Sequence, residues 1–118
     1  MTAFESLSAG DFVNVWNDGI DPQAKLRKAD ASNIATKAHG FVKTAASEGD
    51  LVKFYESGVN ANFSDLEIGR TYFLSDENAG EATLTVPTDS GHIAQAIGTA
   101  LSKTELQVVI SEQPVIRA

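Results

Sequence analysis

The sequence predicts an all-β fold, mainly antiparallel, that forms a small β-barrel or sandwich with at most one short helix. A phrase occurs twice, at 8–19 (SAGDFVNVWNDG) and at 47–58 (SEGDLVKFYESG), with Ser, Gly, Asp, Val and the final Gly at the same offsets. Strand-like segments recur at roughly 8–12-residue spacing between Gly-rich turns. No segment keeps a helical period beyond about ten residues. The repeated phrase makes a duplicated half-barrel one form of this fold.

Alternation and turn residues predict the elements of the first half. The first phrase predicts a strand that ends at Asn17-Asp18-Gly19, because these three residue types tolerate positive φ in tight turns. The second phrase predicts a related strand after its own Gly-Asp turn. The expected segments are strands at 12–17, 24–28, 38–45 and 51–57, with an irregular or helical stretch at 29–37.

The second half predicts a loop followed by a run of strands. The loop covers 59–68, and we expect its Leu66 and Ile68 to enter the core. Ser75 to Gly80 has the composition of a turn, and Pro114 makes the tail an edge strand or an extended segment. The expected strands lie at 70–75, 82–86, 92–101 and 104–110. We therefore expect one β domain over 9–118, preceded by an N-terminal arm over 1–8.

A weaker similarity relates 38–44 (AHGFVKT) to 96–102 (AIGTALS). Each segment follows one copy of the phrase, which is the order expected of a duplicated half-barrel. Chance similarity in a Gly- and Ala-rich chain is the alternative interpretation.

Within the phrase, alternation separates two faces. One face is apolar and is predicted to face the core: Val13 and Val15 in the first copy, Val52 and Phe54 in the second. The other face mixes apolar, polar and aromatic residues, and is interpreted either as a partly covered rim or as a contact surface for another protomer or partner. The contact candidates on that second face are Phe12, Trp16, Leu51 and Tyr55.

Composition and charge exclude several classes of function. The formal net charge is −7, which disfavours binding to nucleic acid and to anionic membranes. The chain has no cysteine, so disulfides, thiolate catalysis and cysteine zinc sites are excluded. No apolar run approaches the length of a membrane-spanning helix.

No catalytic arrangement is recognisable, so we expect no enzymatic activity, no cofactor and no metal site. His39 and His92 stand outside any metal-ligand spacing, and we expect His39 to be a hydrogen-bonded strand residue and His92 to be exposed. Asp11 and Asp50 occupy equivalent Gly-Asp turns, where aspartate bonds to its own backbone. Asp76-Glu77-Asn78 lacks the alternating pattern of a calcium loop.

An ordered series of motifs resembles tailed-bacteriophage capsid decoration (cement) and head-fibre proteins over about residues 8–110. The first half contributes Gly10-Asp11-x-Val13, Lys28-Ala29-Asp30-Ala31, Ala38-His39-Gly40-Phe41-Val42 and Gly49-Asp50-x-Val52. The second half is similar to a short β module of phage structural proteins and contributes Leu66-x-x-Gly69-x-x-Tyr72-x-Leu74-Ser75, Ala79-Gly80, Pro87 and Gln95-x-x-Gly98-x-Ala100-Leu101-Ser102.

The resemblance implies a non-enzymatic protein without cofactor that binds the major capsid protein on the outside of the virion. It implies a homotrimer that assembles in the host cytoplasm, with a flexible N-terminal arm in which Phe4 and Leu7 would contact the capsid. The chain shows no extended fibre, which favours decoration over host adhesion. The alternative hypothesis is a carbohydrate- or receptor-binding module of a tail or fibre that uses Trp16, Tyr55 and Tyr72.

Overall fold

The computed structural model describes all residues from 1 to 118 and confirms the all-β, mainly antiparallel fold. Twelve short strands form two five-stranded sheets and one two-stranded sheet. The single helical segment is a 3₁₀ turn at Ile34–Thr36, inside the stretch that was predicted to be irregular or helical. Asn33 caps it, because its side chain accepts a hydrogen bond from the Ala35 N–H at 2.8 Å.

The first sheet contains both copies of the phrase. Its strands are β1 (Thr2–Ala3), β2 (Phe12–Trp16), β3 (Lys25–Lys28), β4 (Gly40–Val42) and β5 (Phe54–Tyr55). Their spatial order is β1-β3-β2-β4-β5, and all neighbours are antiparallel except β1 and β3. A bridge between Thr2 and Leu51 joins the segment before β5 back to β1, so the sheet curls towards closure.

The second sheet lies over one side of the first. Its strands are β6 (Ser57–Asn60), β7 (Thr71–Leu74), β8 (Ala82–Thr83), β10 (Ala96–Ala100) and β11 (Leu106–Val109), in the order β6-β11-β10-β7-β8. The expected strand at 92–101 is broken, because β10 changes register between Ala96 and Gly98 and is preceded by the separate β9 (Ile93–Ala94). β9 pairs with the tail strand β12 (Val115–Ile116) in the third sheet.

The first sheet is built around an approximate local two-fold axis. Residue n of the first phrase corresponds to residue n + 39 of the second, as Ser8 does to Ser47. Leu7 and Ala46, which are equivalent, exchange both backbone hydrogen bonds at 2.8 and 3.0 Å. Such reciprocal pairing of equivalent residues is the sign of an isologous two-fold contact.

Further reciprocal bonds extend this symmetry over residues 2–16 and 41–55, which we call repeat 1 and repeat 2. The Ala3 N–H donates to the Asp50 carbonyl at 2.8 Å, and the equivalent Val42 N–H donates to the Asp11 carbonyl at 3.0 Å. The internal duplication is therefore visible as a structural unit, and β1 is the counterpart of β4. The weaker similarity of 38–44 to 96–102 does not extend it, because β10 lies in the other sheet.

Both Gly-Asp turns adopt the expected conformation. Asp11 accepts a hydrogen bond from the Ser8 N–H at 2.8 Å, and Asp50 accepts one from the Ser47 N–H at 3.0 Å. The glycine before each aspartate has φ near 90°, a conformation that disfavours side chains larger than hydrogen. The two aspartates are turn formers, as the sequence indicated.

Two apolar cores result from this arrangement. The smaller core lies inside the curled sheet and is built largely from equivalent residues of the two repeats: Ala3 and Val42, Val13 and Val52, with Leu7 and Leu26. The larger core lies between the two sheets and includes Phe12, Phe41, Tyr72, Leu74, Ile93, Ile97, Leu106 and Val108.

Gln95 is a fully buried polar residue whose side-chain hydrogen bonds link the two sheets. Its side chain accepts from the Ala38 N–H at 2.8 Å and donates to the carbonyl groups of Ala38 and Ser111 at 3.0 and 2.8 Å. Burial of an amide is tolerated here because each of its polar atoms has a partner.

The N-terminal segment is not an arm. Thr2 and Ala3 form β1, and the Met1 carbonyl accepts a hydrogen bond from the Val52 N–H at 2.8 Å. Leu7 is 3% exposed, because the two-fold contact places it in the inner core. Residues 1–8 therefore belong to the β domain.

One predicted core residue of the 59–68 loop lies at the surface. Leu66 is buried as expected, but Ile68 is 65% exposed. The reason is a turn in which the Arg70 N–H donates to the Glu67 carbonyl at 3.1 Å and Gly69 has φ of 83°. Ile68 stands at the tip of that turn.

Candidate functional site: the outer faces of the two repeats

The inner faces of the two repeats agree with the prediction. Val13 and Val52 are buried in the inner core, and Val15 and Phe54 pack against it half-buried. These four side chains are therefore structural. A functional surface on the repeats has to lie on their outer faces, which the sequence left open between a rim and a contact surface.

The outer face of repeat 1 is covered at Phe12 by the second sheet and its loops. Phe12 is fully buried, and its ring lies 6.2 Å from that of Phe41 and 6.5 Å from that of Phe63. Phe12 was a candidate for contact with another protomer, and this prediction is wrong. Its side chain is taken up by the core between the sheets.

Asn14 and Arg27 complete the cover of repeat 1. Asn14 is 1% exposed and donates to the Lys37 carbonyl at 2.8 Å, while its side-chain oxygen accepts from Arg27 Nε at 3.0 Å. The Arg27 guanidinium lies over the Trp16 ring, 4.4 Å from the ring centre. Phe4 meets the same indole edge-on at 4.6 Å. Trp16 is therefore half-buried between partners of its own chain.

The outer face of repeat 2 is open at Leu51, although Phe41 at its other end is buried between the sheets. Leu51, the equivalent of Phe12, is 83% exposed, and Thr2 occupies the position equivalent to Phe41. Met1, Leu51, Val52 and Lys53 line a shallow groove on this side of the sheet. We call Met1, Thr2, Leu51 and Lys53 the open face.

Tyr55 is the equivalent of Trp16 in repeat 2, but its ring has different neighbours. It is half-buried, with Lys43 Nζ at 4.4 Å and Lys53 Nζ at 5.2 Å from the ring centre. Lys43 is the equivalent of Phe4, so the contact between the two positions is kept while its chemistry changes from aromatic to cation–π.

The two residues expected to contact a capsid through an arm have different environments. Leu7 is buried and unavailable for contact. Phe4 is 37% exposed, but its ring already packs against Trp16. The structure thus leaves Leu51 as the most exposed of the predicted contact residues.

The three aromatic residues of the carbohydrate hypothesis do not form one site. Tyr72 is 6% exposed, and its hydroxyl oxygen accepts a hydrogen bond from the Glu67 N–H at 2.9 Å. Trp16 and Tyr55 each have a cation over the ring. A sugar would have to displace these contacts before it could stack.

His39 is a structural residue, as expected. Its Nδ1 accepts a hydrogen bond from the Val15 N–H at 2.9 Å, so the neutral ring carries its proton on Nε2. Burial lowers the pKa of His39, and Lys37 lowers it further. The ring borders an open cavity that is also lined by Phe54, Ile110 and Glu56.

Sequence reasoning missed one group of side chains. We expected His92 to be exposed, but it is half-buried and its Nδ1 lies 2.8 Å from Asp76 Oδ2. Asp89 stands beside them. The signal that could have found this group is the Asp89-x-x-His92 spacing, which places two potential ligands on one β-turn.

No protein family model, curated protein or solved structure matches the chain. None of its helical segments has the length and apolar character needed to cross a membrane.

Proposed function

We propose that the protein is a virion structural protein, a decoration (cement) protein that binds the outer surface of a tailed-phage head and stabilises it. The ordered motifs of the two halves support this class of function, and the open face supports a binding role. The observation that carries the proposal is the exposure of Leu51, at a position where repeat 1 buries Phe12 against a second sheet.

The open face has the composition of a small contact surface. Leu51 and Met1 offer apolar area, and Lys53 of this face reaches the half-buried Tyr55 ring, with Nζ 5.2 Å from its centre. Exposed apolar side chains that are grouped in this manner mark sites of interaction. In the proposed role the major capsid protein covers this face, as the second sheet covers repeat 1.

A decoration protein stabilises a shell when it binds the assembled shell better than the free subunits. The proposed homotrimer would present three open faces in fixed positions, so that full binding requires the spacing found on the assembled surface. The net charge of −7 favours solubility at the high concentration that such assembly needs.

The test is co-sedimentation of the purified protein with heads assembled from the major capsid protein encoded in the same phage genome. We expect wild-type protein to bind and Leu51→Asp to lose binding. Ile68→Asp is the matched control, because Ile68 is also exposed but lies on the 67–70 turn outside the open face. Light scattering of the free protein tests the trimer.

Absence of binding by the wild-type protein would contradict the decoration role. Equal loss in Leu51→Asp and Ile68→Asp would show that the open face is not the contact. The tail or fibre carbohydrate-binding role is the second proposal, and a glycan that changes Trp16 fluorescence would favour it. The cations already placed over Trp16 and Tyr55 make it the less supported of the two.

A further inference from the structure

Three side chains from two turns converge at the end of the molecule near the C-terminal tail. Potential ligand atoms of Asp76, Asp89 and His92 all lie within 4.8 Å of one another. The closest pair is His92 Nδ1 and Asp76 Oδ2, 2.8 Å apart. The side chains of His92 and Asp76 are 25% and 18% exposed, whereas Asp89 is exposed to solvent.

The backbone holds the two turns together through Ala31, which is fully buried. The Ala31 N–H donates to the Ser75 carbonyl at 3.0 Å, next to Asp76. The Ile93 N–H donates to the Ala31 carbonyl at 2.7 Å, next to His92. The backbone segments that carry these two side chains are therefore held next to each other through Ala31.

The third side chain belongs to the same turn as the histidine. The His92 N–H donates to the Asp89 carbonyl at 3.1 Å. The C-terminal tail also holds this turn, because the Arg117 N–H donates to the His92 carbonyl at 2.8 Å. Asp89 and His92 thus reach Asp76 from a turn that the C-terminal tail supports.

We propose that Asp76, Asp89 and His92 bind a first-row divalent metal ion of the Zn²⁺ type. One imidazole nitrogen with two carboxylates is a donor set that such ions accept, whereas Ca²⁺ and Mg²⁺ prefer oxygen alone. His92 Nδ1 and Asp76 Oδ2 are 2.8 Å apart, a hydrogen-bond distance. Two ligands of a tetrahedral Zn²⁺ stand about 3.3 Å apart, so a small side-chain movement would admit the ion between them. The proposal is independent of the virion role.

Binding replaces the hydrogen bond between His92 and Asp76. Nδ1 of His92 gives its lone pair to the metal, so its proton moves to Nε2 in the neutral ring or is released to water from the imidazolium. Asp76 and Asp89 bind through carboxylate oxygens. Three protein ligands leave at least one position to water, and a polar cavity of about 190 Å³ bordered by Asp76, Asp89 and Thr88 adjoins the site.

The test is calorimetric titration of Zn²⁺ into the full chain after treatment with chelator. We expect one ion per chain, and at least about tenfold weaker binding in both Asp89→Asn and His92→Gln. Asp89→Asn keeps the backbone turn and removes one ligand charge. Glu48→Gln is the matched control, because it removes an exposed carboxylate far along the chain and should bind Zn²⁺ as wild type does.

Imidazole ¹⁵N spectra give a second measurement that does not depend on a variant. The chain has two histidines, and we expect Zn²⁺ to shift the Nδ1 signal of His92 and to leave His39 unchanged. The proposal is overturned if both variants bind Zn²⁺ with the wild-type affinity or if Zn²⁺ shifts the ¹⁵N signals of His39 alone. A Kd for Zn²⁺ above about 1 mM would overturn it as well. Each of these results indicates an adventitious ion only.

Discussion

The two repeats share a backbone and differ in what lies outside them. Each has the same Gly-Asp turn, the same hydrogen bond from a serine N–H to the aspartate carboxylate, and an inward-facing valine. Yet Phe12 is fully buried and its equivalent Leu51 is 83% exposed. Local sequence therefore sets the conformation of the phrase, while contact with the second sheet buries Phe12 in one copy and its absence leaves Leu51 exposed in the other.

The difference extends to the turns. The Gly10 turn contacts the second sheet and its loops: Asn60 Nδ2 donates to the Gly10 carbonyl at 2.9 Å, and the Phe12 N–H donates to the Gly80 carbonyl at 2.9 Å. Burial raises the pKa of Asp11 in this turn, against the lowering effect of the Ser8 N–H. Around Gly49 a side chain would meet nothing within 4 Å.

The largest expected difference is in the stability loss caused by alanine at Phe12 and at its equivalent, Leu51. Phe12→Ala should lower the free energy of unfolding by about 3–5 kcal/mol, because it leaves a cavity between the sheets. Leu51→Ala should change it by no more than about 0.5 kcal/mol. Urea denaturation of both variants at low protein concentration checks this. A large, concentration-dependent loss in Leu51→Ala would mean that another protomer covers the open face.

A smaller difference in stability is expected between alanine variants of the two turn glycines, Gly10 and Gly49. Gly49→Ala should cost about 1–2 kcal/mol, which is the penalty of a side chain at positive φ. Gly10→Ala should cost at least about 1 kcal/mol more, because its Cβ would lie 2.6 Å from Asn62 Cβ. The midpoints of urea unfolding measure both. Equal losses would show that the loop at Asn62 yields without cost, and would weaken the contrast between the turns.

The smallest expected effect is a pH dependence of stability that comes from His39. This side chain accepts a hydrogen bond from Val15 of repeat 1 and has no counterpart in repeat 2. Its folded pKa lies below the unfolded value of about 6.5. The unfolded chain therefore binds more protons in the window below that value, so stability is fully present above it and falls as pH decreases towards the folded pKa. Unfolding free energies between pH 7.5 and pH 5.5 should show this slope in wild type.

His39→Gln is the control for the pH experiment, because its side-chain oxygen can still accept from the Val15 N–H without titrating. The slope due to His39 should be absent in this variant. An identical slope in both proteins would assign the pH dependence to another group. Asp11 would not explain it, since a raised carboxyl pKa gives the opposite sign.

Much of the first sheet could be predicted from the phrase. The strand at 12–16, the turn at Asn17 to Gly19 and the two aspartate turns follow from residue types at fixed offsets. Hydrogen bonds from the backbone of Asp21 and Ile20, and from Lys25, lower the pKa of Asp18 in that turn to about 2. These are local bonds, and local sequence predicts them well.

Other features could not be predicted because they depend on distant partners. The sequence predicts Leu7 in an arm, because its pairing residue, Ala46, is far along the chain. It predicts Ile68 in the core, but a turn places that side chain at the surface. The group at Asp76, Asp89 and His92 exists because Ala31 joins two turns from different strands.

By itself, the sequence determined the all-β class, the turns and the inner face of each repeat, because alternation and positive-φ residues act within a few positions. Contacts between distant segments set the two-fold pairing of the repeats and the position of the second sheet, which covers Phe12 and Phe41 but not their equivalents Leu51 and Thr2. Burial depends on which surfaces meet, and the same phrase accordingly yields a core residue at Phe12 and an exposed one at Leu51.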